Sequence, residues 1–161
     1  MGNCLLKQKL EKCTLKNTPK YSYKGKTKFC KVIKVYDGDT ITVALKLETK
    51  IFAASVRMFG YDSPEMKPPL KQKNRDKEIK AAKKARQAIS DKILNKIVKI
   101  EILGFDKYGR ILANIYNLQP GGCFGICSQY TENINQYMLD NKYGYNYQGG
   151  TKSKFGSKVN H

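Results

Sequence analysis

The chain has 161 residues, the size of one domain, enough to bury roughly two-thirds of the surface its unfolded form exposes. Its 31 Lys+Arg against 13 Asp+Glu give a formal net charge of +18 and make nucleic acid the first partner to consider, with an anionic membrane surface second. The single histidine, His161, argues against a Ser-His-Asp or Cys-His nucleophilic site and, with five scattered cysteines, against a zinc cluster; free thiols in a reducing compartment are expected.

Residues 1–28 are polar and basic, with ten lysines in 1–34 against the single Glu11, and read as a weakly ordered basic extension. Gly2 directly follows Met1 and is a candidate for N-myristoylation, with Cys4 a candidate for palmitoylation and Lys7, Lys9 and Lys12 adding attraction to lipid. One acyl chain binds only marginally, so both signals are needed. Leu6 departs from the usual M-G-x-x-x-[ST] pattern. No stretch approaches the roughly 20 apolar residues of a membrane span, and no apolar leader is visible. An intracellular location is expected, with membrane attachment only if Gly2 and Cys4 are acylated.

From Phe29 the pattern becomes β-branched. KVIKVYDGDTITVAL reads as a hairpin turning at Asp-Gly, with Ile33 and Val35 on one arm and Ile41 and Val43 on the other. Residues 51–60 read as a third strand. Pro64 and Pro68-Pro69 then forbid regular structure. A helix over 76–94 is predicted, burying Ala82, Ala85, Ile89 and Ile93 as one stripe. Residues 66–86 carry nine Lys and Arg against Asp76 and Glu78. IVKIEIL (97–103) and RILANIY (110–116) form a second hairpin around Asp106–Gly109. Gly121-Gly122 break the chain, and a short helix over 129–141 has Ile134, Met138 and Leu139 as its apolar positions. The tail 148–161 reads as flexible and basic. The fold class is α+β: a closed or nearly closed five-stranded barrel of the oligonucleotide-binding type with two or three helices.

Three islands carry the chemistry: Asp37-Gly38-Asp39-Thr40, then Arg57 with Asp62-Ser63-Pro64-Glu65, then Asp106-Lys107-Tyr108-Gly109-Arg110. Hard divalent cations take carboxylate and carbonyl oxygens at about 2.3–2.6 Å. Asp39 and Asp62, with a backbone carbonyl, supply such donors from separate segments. Arg57 and Arg110 can each fork onto two phosphate oxygens and stay charged at any relevant pH. Glu65 is the spare carboxylate that orients or deprotonates water. Two arginines, a metal and one free carboxylate suffice for phosphodiester hydrolysis.

The motifs VYDGDTITV, VRMFGYDSPE and DKYGRILANIY, in that order and spacing, resemble the staphylococcal nuclease (thermonuclease) family over about Phe29 to Tyr147, with weaker support from NINQYMLDNKYGY. The resemblance implies a nuclease domain over 29–147, flanked by the extension 1–28 and the tail 148–161. It implies that Asp39, Asp62 and the main-chain carbonyl of Ser63 bind Ca2+, with Asp37 supporting, and that Arg57, Glu65 and Arg110 are catalytic. Threonine is the commoner residue where this chain has Ser63. Lys107 and Tyr108 match positions that contact a terminal phosphate. The implied reaction is endo- or exonucleolytic hydrolysis of DNA and RNA at the P–O5′ bond, giving 3′-phosphates, by a monomer. Tyr143, Tyr145 and Tyr147 are left open as counterparts of the family's stacking tyrosines, and the family's last helix has no clear counterpart in the tail. Two other classes compete: a non-catalytic nucleic-acid-binding module, and a lipid-anchored basic adaptor. The presence of all five residues Asp39, Arg57, Asp62, Glu65 and Arg110 favours the enzyme.

Overall fold

A computed structural model describes residues 2–18, 22–119 and 129–149. In chain order the elements are α1 (Gly2–Glu11), β1 (Thr27–Val35), β2 (Thr40–Leu47), β3 (Lys50–Met58), β4 (Tyr61–Asp62), α2 (Arg75–Ile93), β5 (Ile97–Phe105), β6 (Ile111–Gln119), β7 (Gln129–Asn133), α3 (Ile134–Asp140) and β8 (Tyr145–Asn146). The strands pair as β3-β2-β1-β5-β6-β7, and β6 also returns to β3. That return is parallel, Val56 against Ile111, Arg57 against Leu112 and Met58 against Ala113. It closes β1, β2, β3, β5 and β6 into the expected five-stranded barrel, with β7 added at the side of β6.

Alternation along each strand fills the barrel. Val32 and Val35 of β1, Ile41, Val43 and Leu45 of β2, Val56 and Met58 of β3, Val98, Ile100 and Ile102 of β5, and Ala113 and Ile115 of β6 are all buried. Helix α2 packs into the same core. Ala82, Ala85, Ile89 and Ile93 fall on one face at spacings of 3, 4 and 4 and are completely buried, as the sequence pattern predicts. Fully burying each of the two isoleucines contributes about 1.5–3 kcal/mol.

The structure departs from the sequence reading in several places. Ile33 is 44% exposed, and its neighbour Val32 faces the core instead. A register irregularity between Val32 and Lys34 inserts one extra residue, which lets Val32 and Val35 both point inward. Residues 129–133, expected to open a helix, form β7 against β6, and the helix starts only at Ile134. The Asn133 side chain caps it by accepting the Gln136 amide at 3.2 Å. Gly2–Glu11, expected to be weakly ordered, is helical, with Leu5, Leu6 and Leu10 each more than half exposed. No described helix is long and apolar enough to cross a membrane. Gly121-Gly122, Cys123, Cys127 and the tail beyond Gly149 lie outside the described residues.

Candidate active site

The first island is a turn closed by its own acid. Asp37 Oδ1 accepts the amides of Asp39 at 3.1 Å and Thr40 at 2.8 Å, and the Tyr36 amide donates to the Thr40 carbonyl at 2.9 Å. Gly38 is needed because the turn presses on its neighbours. A methyl there would lie 2.7 Å from the Ser63 Cβ and 2.9 Å from the Ala85 Cβ. The buried Tyr61 hydroxyl donates to the Gly38 carbonyl at 2.5 Å, fixing the turn from below. Asp39 is thereby turned inward and buried.

Asp39 and Asp62 meet around Arg57. Arg57 Nη1 lies 2.6 Å from Asp39 Oδ1 and Nη2 lies 2.5 Å from Asp62 Oδ1. The amide and hydroxyl of Ser63 both donate to Asp39 Oδ2, at 2.9 and 3.1 Å, and the Thr40 hydroxyl donates to Oδ1 at 2.8 Å. Burial works against the charge on Arg57, but the two carboxylates outweigh it and hold the guanidinium protonated. One cation does not balance the cluster. Burial first, then the charge of Asp39, push Asp37 up to about 6.

The third island rests on Asp106, whose Oδ1 accepts the amides of Tyr108 and Arg110 at 2.8 and 2.9 Å. Its Oδ2 accepts Arg110 Nε at 2.6 Å, which aims the guanidinium, and Arg110 Nη1 reaches the Thr40 hydroxyl at 3.3 Å. Burial opposes ionisation of Asp106, yet the amide and side-chain bonds from Arg110 lower its pKa overall. Gly109, at φ 79°, supplies the left-handed turn that brings Arg110 back onto β6. The Tyr108 ring lies under both Lys107 Nζ and the Arg110 guanidinium, at 5.0 and 5.4 Å from its centroid.

These islands share one cleft of about 950 Å³, lined among others by Asp37, Asp39, Arg57, Glu65, Lys107, Tyr108 and Arg110. Parallel pairing of β3 with β6 sets Arg57 beside Leu112 and so brings the second and third islands together. Asp62 sits beneath, completely buried, and reaches the cleft through Arg57. Glu65 is exposed on a loop whose amide donates to Glu78 of α2 at 3.0 Å. Gly2 and Cys4 belong to α1, which contributes nothing to the cleft lining.

Two residues of this neighbourhood are placed only by the structure: Tyr147, which the sequence leaves open beside Tyr143 and Tyr145, and Glu78, which the sequence reading misses. Pairing of β8 with β4 carries Tyr147 into the lining, with the Arg57 guanidinium 6.0 Å from its ring centroid. Glu78 enters the sequence reading only as one of two acids against nine Lys and Arg, but it is 3% exposed. For Tyr147 the repeating tyrosines of 143–147 were the only signal.

Among the described residues no group of three or more His, Cys, Asp or Glu stands assembled as a metal cluster. Of the expected oxygen donors, the carboxylates of Asp39 and Asp62 do converge, each with one oxygen on Arg57, and Asp37 stands beside Asp39 in the same turn. Carboxylate oxygens are the donor type a hard cation takes, with water completing its shell.

A family model described as staphylococcal nuclease homologue matches residues 55–158. A protein from Haemophilus influenzae named as an uncharacterized endonuclease is 32% identical over 87 residues, which is 54% of this chain and 41% of that protein. The matched segment thus spans less than half the length of that relative.

Proposed function

The chain belongs to the staphylococcal nuclease homologue family, a nuclease family, and from that membership we propose that it is a calcium-dependent phosphodiesterase acting on DNA and RNA. The observation that carries this reading is the convergence of Arg57, Arg110, Glu65 and Asp39 on a single cleft in a strongly basic protein. The basic surface draws in the polyanion. Arg57 and Arg110 hold the non-bridging oxygens of the scissile phosphate, where negative charge grows as water attacks. Glu65 orients that water and takes its proton. The water oxygen bonds to phosphorus as the P–O5′ bond breaks with its electron pair going to O5′, and O5′ takes a proton from solvent, so that a 3′-phosphate remains. Asp39, Asp62 and the main-chain carbonyl of Ser63, with Asp37 in support, would hold Ca2+, which when bound supplies positive charge against the same phosphate oxygens. Lys107 and Tyr108 serve as contacts to a terminal phosphate. Tyr147, beside Arg57, offers its ring to a nucleotide base.

The test is digestion of single-stranded DNA, duplex DNA and RNA by purified protein, with calcium or with chelator. Cleavage is expected only with calcium. Arg57→Ala and Glu65→Ala should each lower the rate by roughly 10²–10³ or more, while salt-sensitive binding persists. No cleavage by clean wild-type protein with calcium would sink this reading.

A second reading concerns α1. Its exposed Leu5, Leu6 and Leu10, set among Lys7, Lys9 and Lys12, favour contact with an anionic membrane surface. Acylation at Gly2 and Cys4 would strengthen a contact that so few leucines make only weakly. Sedimentation with anionic and with neutral vesicles tests it, and equal recovery with both would count against it.

A further inference from the structure

We infer that Glu78, a buried carboxylate in the first turn of α2, is the positioning residue that holds Glu65 at the cleft. Its Oε1 accepts the Glu65 amide at 3.0 Å and its Oε2 accepts the side-chain amide of Gln72. This inference rests on the nuclease reading above for the role of Glu65.

The argument begins with what burial costs. A carboxylate 3% exposed must be compensated, and in a chain with 31 lysines and arginines a cation is the easy partner. Glu78 instead spends both oxygens on neutral donors, and both donors belong to the loop that leaves β4. The N-terminal end of α2 helps to carry the charge, because the unpaired amides there favour an anion. One carboxylate therefore ties the loop to the helix at two points seven residues apart in sequence, 65 and 72.

The loop needs such an anchor. Glu65, Lys67, Pro69, Leu70 and Lys71 are exposed, and Pro68-Pro69 keep the segment out of regular structure. Pro64 and Pro68 are buried, but a proline nitrogen donates no hydrogen bond. The Glu65 amide is the first backbone donor after Pro64, so clamping it fixes the Cα from which the Glu65 side chain departs. Helix α2 is also the right body to clamp to. Seven residues on from Glu78, Ala85 packs against Gly38 in the turn that carries Asp39. The same rigid element thus touches the acid cluster and the loop of the water-handling carboxylate. A displacement of about 1 Å at such a group can cost on the order of a hundredfold in rate.

The experiment measures cleavage of a short fluorogenic oligonucleotide with calcium, uncut-oligonucleotide binding in chelator, thermal stability, and hydrogen exchange at the Glu65 amide. Wild type, Glu78→Ala, Glu78→Gln and Gln72→Ala are compared at a temperature where each is folded. Glu78→Ala should lose roughly ten- to a hundredfold in kcat, with KM and binding within about threefold. Its Glu65 amide should exchange faster than its neighbours in α2. Glu78→Gln keeps one acceptor oxygen for that amide and should recover most of the rate, whereas Gln72→Ala should show a smaller loss of the same kind. The proposal is overturned if kcat and binding fall together, if the loss in rate only follows a loss of folded protein, or if exchange at Glu65 is unchanged. Wild-type protein that fails to cut would overturn the nuclease reading, while the exchange measurement would still report whether Glu78 holds the loop.

Discussion

Asp37 is where burial and like charge leave the plainest mark. Its carboxyl is pushed up to about 6, from roughly 3.9 in an unfolded chain. A group that binds its proton more tightly when folded adds stability below its unfolded value and loses it as pH rises through its folded one. In chelator, wild type should therefore lose stability relative to Asp37→Asn as pH rises from about 4 to about 6. Denaturation midpoints of both proteins across that range measure it, and a constant gap would contradict the assignment. Gly38 makes a steric prediction. With Ser63 and Ala85 pressed against it, Gly38→Ala should destabilise by about 1–3 kcal/mol. It should also lower any cleavage activity, because Asp39 and Ser63 sit on the two sides of the contact; a neutral effect in urea titration would mean the turn gives way freely. At this scale the acids and arginines were legible in the sequence because their type and order are unusual in so basic a chain. Glu78 was not, and Tyr147 could not be told from Tyr143 and Tyr145, since burial of the one and arrival of the other depend on contacts made far along the chain.

Helix α2 was readable as an element because its apolar residues repeat at helical spacing, and the buried stripe is the one that spacing names. Ile89→Ala should cost about 2–5 kcal/mol, whereas Ile51→Ala, at a position 71% exposed on β3, should stay within about 0.5 kcal/mol of wild type. Chemical unfolding of the two variants decides, and equal losses would place the core wrongly. The strands were harder to read. Period-two alternation loses its phase at a single extra residue, so the irregularity after Val32 turned Ile33 outward without any mark in composition. For β7, five residues with Tyr130 and Thr131 could not be told from the start of a helix until β6 offered an edge to pair with. Local pattern settles an element when it is long, and tertiary pairing settles it when it is short.

At the scale of the molecule, the barrel and its basic surface were both foreseeable, from five strand-like runs and from the charge. What no local pattern indicated was the seam, the short parallel pairing of Val56, Arg57 and Met58 with Ile111, Leu112 and Ala113. This seam joins segments far apart in sequence, and contacts of that kind form late because loop closure must precede them. Arg57 lies within it and Arg110 immediately precedes it. During refolding, hairpin and helix signals should therefore recover before cleavage does, with activity returning only in the last kinetic phase. Stopped-flow refolding paired with timed activity assays tests this, and activity that precedes barrel closure would contradict it. On the proposed nuclease reading, a chain this basic can attract nucleic acid before it is fully folded, and the seam would act as a safety catch: until the last strands lock, such a protein can hold a polyanion but has no blade to cut it.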